Sequence, residues 1–273
     1  MEKAVAVCSG GIDSSANGLM LLKEGYEVHF LHVSHGQKSA EGESGAVHRI
    51  VNWLKAEGYS VEEKQYKIDI YKQMPSSALT DKSKPVPNGL EGVYGSTIGE
   101  LFTPARNVVL LAIASAYAES IGAEVITLGC NQSEVAYGDN TKEFLDRYTK
   151  VLELGCYKCH PQVISPEWEM SKVDIYRWVG ENFPEILKFG WSCDDSPGKK
   201  GLMCGHCGCD RNRQLTLLIL KQMFPGSKQV YEDVEYEDGN WFEEVFLPTI
   251  RERGTPRNKW FSQYAKELGC KVI

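Results

Sequence analysis

The sequence predicts an α/β protein built on a doubly wound, mostly parallel sheet. Short apolar runs typical of buried strands alternate with segments of helical periodicity, starting with a strand at 4–7 and a helix at 16–23. Strands joined by helices pair in parallel and bind ligands at their carboxyl ends. Polar loops follow the first two predicted strands, so we expect a ligand site there.

Length, charge and cysteine content narrow the class of protein. The 273 residues suffice for one large domain, alone or with an appendage, and the net charge of -7 argues against non-specific nucleic-acid binding. No stretch approaches 18 consecutive apolar residues, and the chain enters a strand without a signal peptide, so we expect a cytoplasmic protein and no membrane partner. Nine cysteines then indicate metal ligands or reactive thiols rather than disulfides.

A glycine-containing turn joins the first strand to the first helix. Its residues are Ser9, Gly10, Gly11, Ile12, Asp13, Ser14 and Ser15. Glycines allow close approach of an anion, and the helix N-terminus and serine hydroxyls add donors for phosphate. The carboxylate predicts a Mg²⁺ ion that bridges it to phosphate. The Walker A ending is missing. The alternative is an ordinary strand–turn–helix with an N-cap.

The later elements continue the alternation. Strands are predicted at 26–34, 60–68 and 124–129, and helices at 46–55, 108–120, 142–154, 171–181 and 211–224. Gly36 and Gln37 follow the second strand, at the same sheet edge as the phosphate loop. The proline- and glycine-containing residues 75–102 are typical of a functional lid or a mobile segment.

Two cations stand near predicted helix starts. Arg106 lies in a first turn, where a positive charge is unfavourable unless an anionic ligand offsets it, so it is a candidate phosphate or carboxylate clamp. Lys172 is interpreted in the same way. The alternatives are a surface ion pair for the arginine and a solvated lysine.

The loop after the strand at 124–129 carries mixed polar groups. Asn131, Glu134, Tyr137 and Asp139 offer donors and acceptors that suit a polar heterocycle. By itself this loop is equally compatible with a turn and a helix cap.

A cysteine cluster in a glycine-rich loop predicts a closed structural zinc site. The four candidate ligands are Cys193, Cys204, Cys207 and Cys209. His206 could replace one thiolate, and Cys156, Cys159 and His160 form a second possible donor group, with a redox role conceivable for the two cysteines.

The composition divides the chain into three parts. We expect a nucleotide-binding domain at 1–190, a zinc-binding loop and helix at 191–224, and an extension at 225–273. The extension contains an acidic stretch at 232–238, interpreted as a solvated face, a strand or a partner-binding arm, and a helix near 259–268.

Taken together, these motifs resemble two nested groups of enzymes. The phosphate loop resembles that of the PP-loop ATP pyrophosphatases, whose adenine nucleotide alpha-hydrolase-like fold is the fold expected here. Over residues 4–224 the chain resembles the QueC family of 7-cyano-7-deazaguanine synthases. The matching motifs are Ser9-Gly10-Gly11-Ile12-Asp13-Ser14, Gly36-Gln37, Ser76-Ser77-Ala78-Leu79-Thr80, Pro104-Ala105-Arg106-Asn107, Gly129-Cys130-Asn131, Tyr137-x-Asp139, Glu143-Phe144, Met170-Ser171-Lys172 and Trp191-Ser192-Cys193.

The resemblance implies an ATP-dependent carbon–nitrogen ligase of queuosine biosynthesis. ATP adenylates 7-carboxy-7-deazaguanine and releases pyrophosphate, ammonia forms the amide, and a second ATP drives elimination to the nitrile. The phosphates would be held by Ser9, Gly10, Gly11, Asp13, Ser14, Ser15, Gly36 and Gln37, with Asp13, Arg106 and Lys172 catalytic. Asn131, Glu134, Tyr137 and Asp139 would read the deazaguanine, zinc would be structural, and a homodimer is expected.

The sequence differs from the family motifs at several positions, and these differences leave a second nitrogen acceptor, other than ammonia, as an alternative. The family's Cys-x-x-Cys-x-x-Cys becomes Cys204-Gly-His-Cys207-Gly-Cys209-Asp210, with one residue seemingly missing. Its Tyr-Pro-Asp-Cys-Arg becomes 137–141, Tyr-Gly-Asp-Asn-Thr, and its Tyr-Gly-Gln-Arg-His becomes 35–39, His-Gly-Gln-Lys-Ser. QueC-like enzymes of type IV CBASS antiphage defence join the deazaguanine to the N-terminal amine of a partner protein, and the extra tail suits such an acceptor.

Two further classes fit less well. A regulatory module without catalysis predicts damage to the phosphate loop, which is intact. A tRNA-thiolating enzyme predicts a basic face and a reactive cysteine pair; Cys156 and Cys159 match the pair, but the net charge does not match the basic face.

Overall fold

A computed structural model describes residues 1–74, 77–132, 137–195, 201–226, 231 and 233–273. The strands are β1 (Lys3–Val7), β2 (Glu27–Ser34), β3 (Val61–Lys67), β4 (Val125–Thr127) and β5 (Gln162–Ile164). The α-helices are α1 (Ile12–Glu24), α2 (Ala40–Ala56), α3 (Gly89–Tyr94), α4 (Ile98–Leu101), α5 (Arg106–Ile121), α6 (Lys142–Gly155), α7 (Lys172–Asn182), α8 (Ile186–Phe189), α9 (Gly208–Met223), α10 (Leu247–Arg253) and α11 (Ala265–Leu268). Single turns of other helix types lie at Ile70–Gln73, Gly138–Asn140, Phe242–Phe246 and Trp260–Tyr264.

The five strands form one parallel sheet in the order β3-β2-β1-β4-β5. The chain proceeds outward from β1 to β2 and β3, then returns to the other side of β1 with β4. The strand order therefore reverses between β1 and β4, and the crevice at their carboxyl ends is where such sheets bind ligands. The predicted α/β class is confirmed.

Alternate side chains of β1 enter two hydrophobic cores. Ala4 and Ala6 face the core covered by α1, α2, α7 and α9, whereas Val5 and Val7 face the core covered by α5 and α6. All four are less than 9% exposed. Burial on both faces explains why this strand is a continuous apolar run rather than an alternating one.

The predicted helices and strands are present, with shifted ends. The helix expected at 46–55 begins six residues earlier, at Ala40, and the helix expected at 211–224 begins at Gly208. The helix expected near 259–268 is instead two short turns, Trp260–Tyr264 and α11.

The described part of residues 225–273 packs onto the body of the protein. Phe242, Phe246, Ile250, Phe261 and Leu268 are all buried, in the same hydrophobic core as α1 and α9. The residue Tyr236 bridges to Met203 beside the cysteine cluster. The extension therefore contributes side chains to the main core.

One described stretch, 98–121, is long and apolar enough to cross a membrane, with a mean hydropathy of 1.3. It contains both α4 and α5. Leu111, Ala114 and Ala118 of α5 are buried against the sheet, so one face of this helix belongs to the core.

Candidate active site

A cavity of about 340 Å³ opens where β1, β2 and β4 end. The sequence-predicted residues that line it are Ser9, Gly11, Asp13, Ser14, Arg106, Lys172, Cys193 and Cys209. Other polar lining residues are His32, His35, Glu43, Asn107, Tyr176, Trp191, Ser192, Asp194 and Asn212. The sheet's switch point and the predicted phosphate loop thus meet at one cavity.

Close backbone packing holds the phosphate loop. Gly10 has φ +80°, and a Cβ there would lie 2.7 Å from the Glu43 carbonyl oxygen and 2.8 Å from Ala46 Cβ. Its carbonyl accepts a hydrogen bond from the Trp191 N–H at 2.8 Å. A larger residue would therefore displace α2 from the loop.

The three loop serines have different surroundings. The Ser9 N–H donates to Ser14 Oγ at 3.1 Å, and the two hydroxyls lie 3.0 Å apart at the cavity wall. The Ser15 hydroxyl instead donates to the Gly11 carbonyl at 2.7 Å, and this side chain is fully buried. The structure brings the first two serines to the cavity and turns Ser15 into the core, because it lies on the inner side of α1.

Asp13 and Lys172 form an ion pair in the cavity. Lys172 Nζ lies 2.5 Å from Asp13 Oδ2, and the lysine is 7% exposed. The other carboxylate oxygen, Asp13 Oδ1, is buried and has no hydrogen-bond partner among the described residues. A carboxylate oxygen without a hydrogen-bond partner beside a phosphate loop is suited to coordinate Mg²⁺.

Arg106 reaches the cavity from an unusual helix start. The preceding residue, Ala105, has φ +48°, the left-handed region that a residue with a Cβ rarely adopts. The next residue, Asn107, donates its backbone N–H to Asp139 Oδ2 at 3.1 Å and its amide to the Asp139 carbonyl at 2.9 Å. The turn at 138–140 thus holds the N-terminus of α5 and presents Arg106 to the cavity.

The described members of the predicted deazaguanine-reading set, Asn131, Tyr137 and Asp139, are not among the residues that line the cavity. Tyr137 donates its hydroxyl to the Ile98 carbonyl at 2.9 Å, and Asp139 accepts from Asn107. Asn131 is 5% exposed. Glu134 lies outside the described residues.

Gly36 and Gln37 shape the cavity without lining it. The Gln37 side chain accepts from the His35 N–H at 2.8 Å and donates to Glu43 Oε2 at 2.7 Å. Gln37 is 7% exposed, and its two hydrogen bonds connect the end of β2 to α2. Its neighbour Gly36 has φ +96°, which permits the turn.

Sequence reasoning missed several lining residues. His35 and Glu43 fall beside the predicted Gly36-Gln37 loop, and Ser192 and Asp194 flank a predicted zinc ligand. In the sequence, His35 could have been recognised by its position at the end of a predicted strand, and Ser192 and Asp194 by their position next to a cysteine. Burial raises the pKa of Asp194 to about 6, and the neighbouring Cys209 thiol and Arg106 act in the opposite direction.

A second group of ligand atoms lies beside the cavity. The atoms belong to Cys193, Cys204, Cys207 and Asp210, all buried and all within 4.8 Å of one another. Backbone N–H groups donate to all four of them, including Cys207 N–H to Cys204 Sγ at 3.3 Å and Gly205 N–H to Asp210 Oδ2 at 3.0 Å. Three sulfurs and one carboxylate oxygen in a closed, buried set fit a tetrahedral structural zinc site.

The set differs from the predicted one in its fourth member. Cys209 lies at the second position of α9, one residue before Asp210, so its side chain points about 100° away around the helix axis. Its thiol hydrogen-bonds to Asp194 in the cavity instead. Asp210 stands at the spacing of the family's last cysteine, since the sequence reads Cys204-x-x-Cys207-x-x-Asp210. That equal spacing was the signal available in the sequence.

The other candidate donors point elsewhere. His206 Nδ1 lies 3.0 Å from Asp238 Oδ2. Cys159 Sγ faces the Ala123 carbonyl at 3.6 Å, and neither Cys156 nor Cys159 joins a group of metal-ligand atoms within the described part of the chain.

The parallel sheet, its phosphate loop at the switch point and the Asp13–Lys172 pair define the class as a PP-loop ATP-using protein. More narrowly, the chain belongs to the QueC family, because the profile described as queuosine biosynthesis protein QueC matches residues 3–219. A 7-cyano-7-deazaguanine synthase of Methanothrix thermoacetophila is 33% identical over 219 residues, which cover 78% of this chain and 93% of that protein. The protein of the same name from Methanocaldococcus jannaschii is 33% identical over 227 residues, covering 79% and 95%.

The family membership makes this protein an enzyme, an ATP-dependent ligase. Among solved structures, a 4-thiouridine synthetase in complex with RNA and bound ATP superposes with a TM-score of 0.44 at 23% identity. That superposition covers 67% of this chain and 41% of the synthetase.

Proposed function

We propose that the enzyme adenylates 7-carboxy-7-deazaguanine with ATP and transfers the acyl group to ammonia, ending in 7-cyano-7-deazaguanine. The observation that carries the proposal is the convergence of the phosphate loop, Asp13, Lys172 and Arg106 on one cavity. The names of the similar proteins supply the product, and the resemblance to the QueC family implies the carboxylate substrate.

The chemistry requires a good leaving group. A carboxylate is a poor electrophile, and adenylation converts its oxygen into part of AMP. Backbone N–H groups of the loop and the Ser9 and Ser14 hydroxyls are placed to bind the phosphates. Lys172 and Arg106 then stabilise the charge that grows on the departing pyrophosphate, an effect worth about 3–4 kcal/mol for one well-placed donor.

The residues at the loop fit a magnesium ion. Asp13 Oδ1 would hold it, since Oδ2 is paired with Lys172. Bound Mg²⁺ would neutralise phosphate charge and orient the chain of phosphates.

Zinc at Cys193, Cys204, Cys207 and Asp210 would be structural. Four protein ligands leave no open position for substrate. The site links the loop before Cys204 to the N-terminus of α9, and Cys193 lies at the cavity wall, so the metal would fix that wall.

A specific observation favours a second acceptor, the N-terminal amine of a partner protein. A groove beside the zinc site is lined by Pro85, Pro87, Glu91, Asp238 and Trp241, from the predicted lid and the C-terminal extension. Prolines, an indole and carboxylates suit an extended peptide that carries a positive amine. In this case the enzyme would act in antiviral defence, one ATP would suffice, and a substituted amide would be the product.

We also propose a cytoplasmic homodimer. The support is an apolar patch at the end of α6, where Val151 is 58%, Leu154 91% and Tyr157 93% exposed. Exposed apolar groups of this size are typical of interfaces. Light scattering of the purified enzyme tests the dimer, with one chain per particle as the contrary result.

A mass-spectrometric assay tests the reaction. The enzyme is incubated with ATP, Mg²⁺ and 7-carboxy-7-deazaguanine, with and without ammonium. The nitrile with two AMP per product supports the synthase, and AMP without efficient nitrile formation points to another acceptor. Absence of AMP in both conditions contradicts the proposal.

A further inference from the structure

His35 presents an unused nitrogen to the active-site cavity. The side chain lines the cavity and is 7% exposed. Its Nε2 atom is buried and has no hydrogen-bond partner within the described residues. A buried polar atom without a hydrogen-bond partner destabilises the folded protein unless a ligand or substrate group pairs with it.

The surroundings of His35 define which nitrogen carries hydrogen. Nδ1 lies 3.3 Å from the Val33 carbonyl oxygen, and a carbonyl can only accept, so Nδ1 is the donor. Nε2 is then the acceptor of the neutral ring. The ring also packs edge-on against Tyr71 at 5.6 Å between centroids, which fixes its orientation.

Charged groups face the ring from three elements. Burial lowers the pKa of His35, and Arg106 on α5 and His32 on β2 act in the same direction, whereas Glu43 on α2 opposes them. The phenol of Tyr71 faces it from the turn at Ile70–Gln73. The imidazole is therefore neutral at pH 7.

We propose that His35 Nε2 is the general base that takes the proton from the nitrogen nucleophile during acyl transfer. The inference rests on the proposed function. The nitrogen lone pair forms a bond to the acyl carbon, and the bond from that carbon to the AMP oxygen breaks with its electron pair leaving on AMP. The proton lost by nitrogen passes to Nε2 and then to solvent.

Acyl transfer to a nitrogen nucleophile requires that a proton be removed from the nitrogen. Ammonium and amines are protonated at neutral pH, with a pKa of about 8 for an α-amino group. An adenylate attacked by nitrogen must also shed a proton to form the amide. The unprotonated fraction of the nucleophile attacks, and a neutral imidazole beside it can then accept the proton that nitrogen sheds. General-base catalysis of this kind contributes about 10²–10⁴-fold. The tyrosine of the similar family sequence Tyr-Gly-Gln, with a pKa near 10, is protonated at pH 7 and cannot accept in this way.

Two partial reactions test the role with purified full-length enzyme. Pyrophosphate–ATP exchange in the presence of 7-carboxy-7-deazaguanine reports adenylation, and amide formation from ammonium reports transfer. We expect His35→Gln and His35→Tyr to keep exchange near the wild-type rate and to lower transfer at least about 10²-fold at pH 7. In the transfer pH profile the variants should lose the inflection that belongs to His35, below pH of about 6.5, and keep the rise that follows the unprotonated fraction of ammonia.

Hydroxylamine and a matched variant serve as controls. Hydroxylamine is unprotonated at pH 7, so it should restore transfer in His35→Gln. His29 lies on β2 but not in the cavity lining, and both its ring nitrogens have partners, Tyr117 Oη at 2.8 Å and Glu27 Oε1 at 3.0 Å. His29→Gln should therefore leave the ratio of transfer to exchange unchanged.

Three results would overturn the role of His35. They are an equal fall in exchange and transfer, a rise in KM for ATP alone, and transfer unaffected by the substitution. Absence of exchange in the wild-type enzyme is a separate result, and it would refute the proposed function itself.

Discussion

Replacement of Asp210 should remove the metal and destabilise the loop that closes the active site. The carboxylate is fully buried and accepts hydrogen bonds from Ser192 Oγ at 2.6 Å and from the Gly205 N–H at 3.0 Å. Asp210→Ala deletes one of the four proposed ligands, leaves the buried Gly205 N–H unpaired, and leaves the half-buried Ser192 hydroxyl with only the Met203 sulfur as acceptor, at 3.2 Å. At about 1–3 kcal/mol for the unpaired donor and about 1 kcal/mol for the lost hydroxyl bond, the loss is about 2–4 kcal/mol before the metal is counted.

That loss is a large fraction of a typical folding free energy of about 5–15 kcal/mol. Asp210→Cys restores four donors at the spacing seen in the family, so it should keep one zinc per chain. The assay is elemental analysis after dialysis against a chelator, together with thermal unfolding. An Asp210→Ala protein with one chelator-resistant zinc and unchanged unfolding would refute the assignment of the fourth ligand.

The remaining predictions concern catalysis, stability and pH. Lys172→Met should lower the rate of pyrophosphate–ATP exchange about 10²–10³-fold, because it removes the cation and leaves the Asp13 carboxylate unpaired in the cavity. Circular dichroism should show that the variant is folded. Arg213→Ala should destabilise the protein by about 3–5 kcal/mol in urea unfolding, because it removes a 1%-exposed guanidinium that pairs with Asp233 at 2.9 Å and donates to the buried Gly190 and Leu187 carbonyls. Phe246→Ala, in the C-terminal extension, should cost about 3–5 kcal/mol, and a loss below about 1 kcal/mol would show that the extension is not part of the core. The pKa of His35 is lowered in the folded state, so below pH of about 6.5 the unfolded chain binds more protons at this residue than the folded protein does. The free energy of unfolding of the wild type, measured relative to that of His35→Gln, should therefore fall as the pH is lowered from 7 to 5.

The fold was largely predictable because its signals are local. The apolar run at β1, buried on both faces, and the glycine turn before α1 both act over a few residues. Helix starts were less predictable. Ala40, where α2 begins, follows Ser39, whose hydroxyl bonds to Glu43 rather than to the backbone, so no capping signal marks the boundary.

The site was predictable where one loop builds it and not where several segments meet. Asp13 and Lys172 are 159 positions apart, and only the sheet order brings them into contact. Tyr137 and Asp139 have the composition of a recognition loop, yet their hydrogen bonds go to Ile98 and Asn107. Cys209 was predicted as a ligand because it is a cysteine, whereas the buried ligand atoms that lie together include Asp210 instead, a residue type with no such signal.

Oxygen labelling distinguishes acyl adenylation from any other use of ATP. 7-Carboxy-7-deazaguanine is labelled with ¹⁸O in both carboxylate oxygens and incubated with the enzyme, ATP, Mg²⁺ and ammonium, and the AMP is analysed by mass spectrometry. We expect ¹⁸O in AMP from the first turnover, since adenylation transfers a carboxylate oxygen to the phosphate. Nitrile formation moves the second ¹⁸O into a second AMP, whereas a protein-amine acceptor would retain it in the amide. Unlabelled AMP from an active enzyme would contradict acyl adenylation and with it the proposed function.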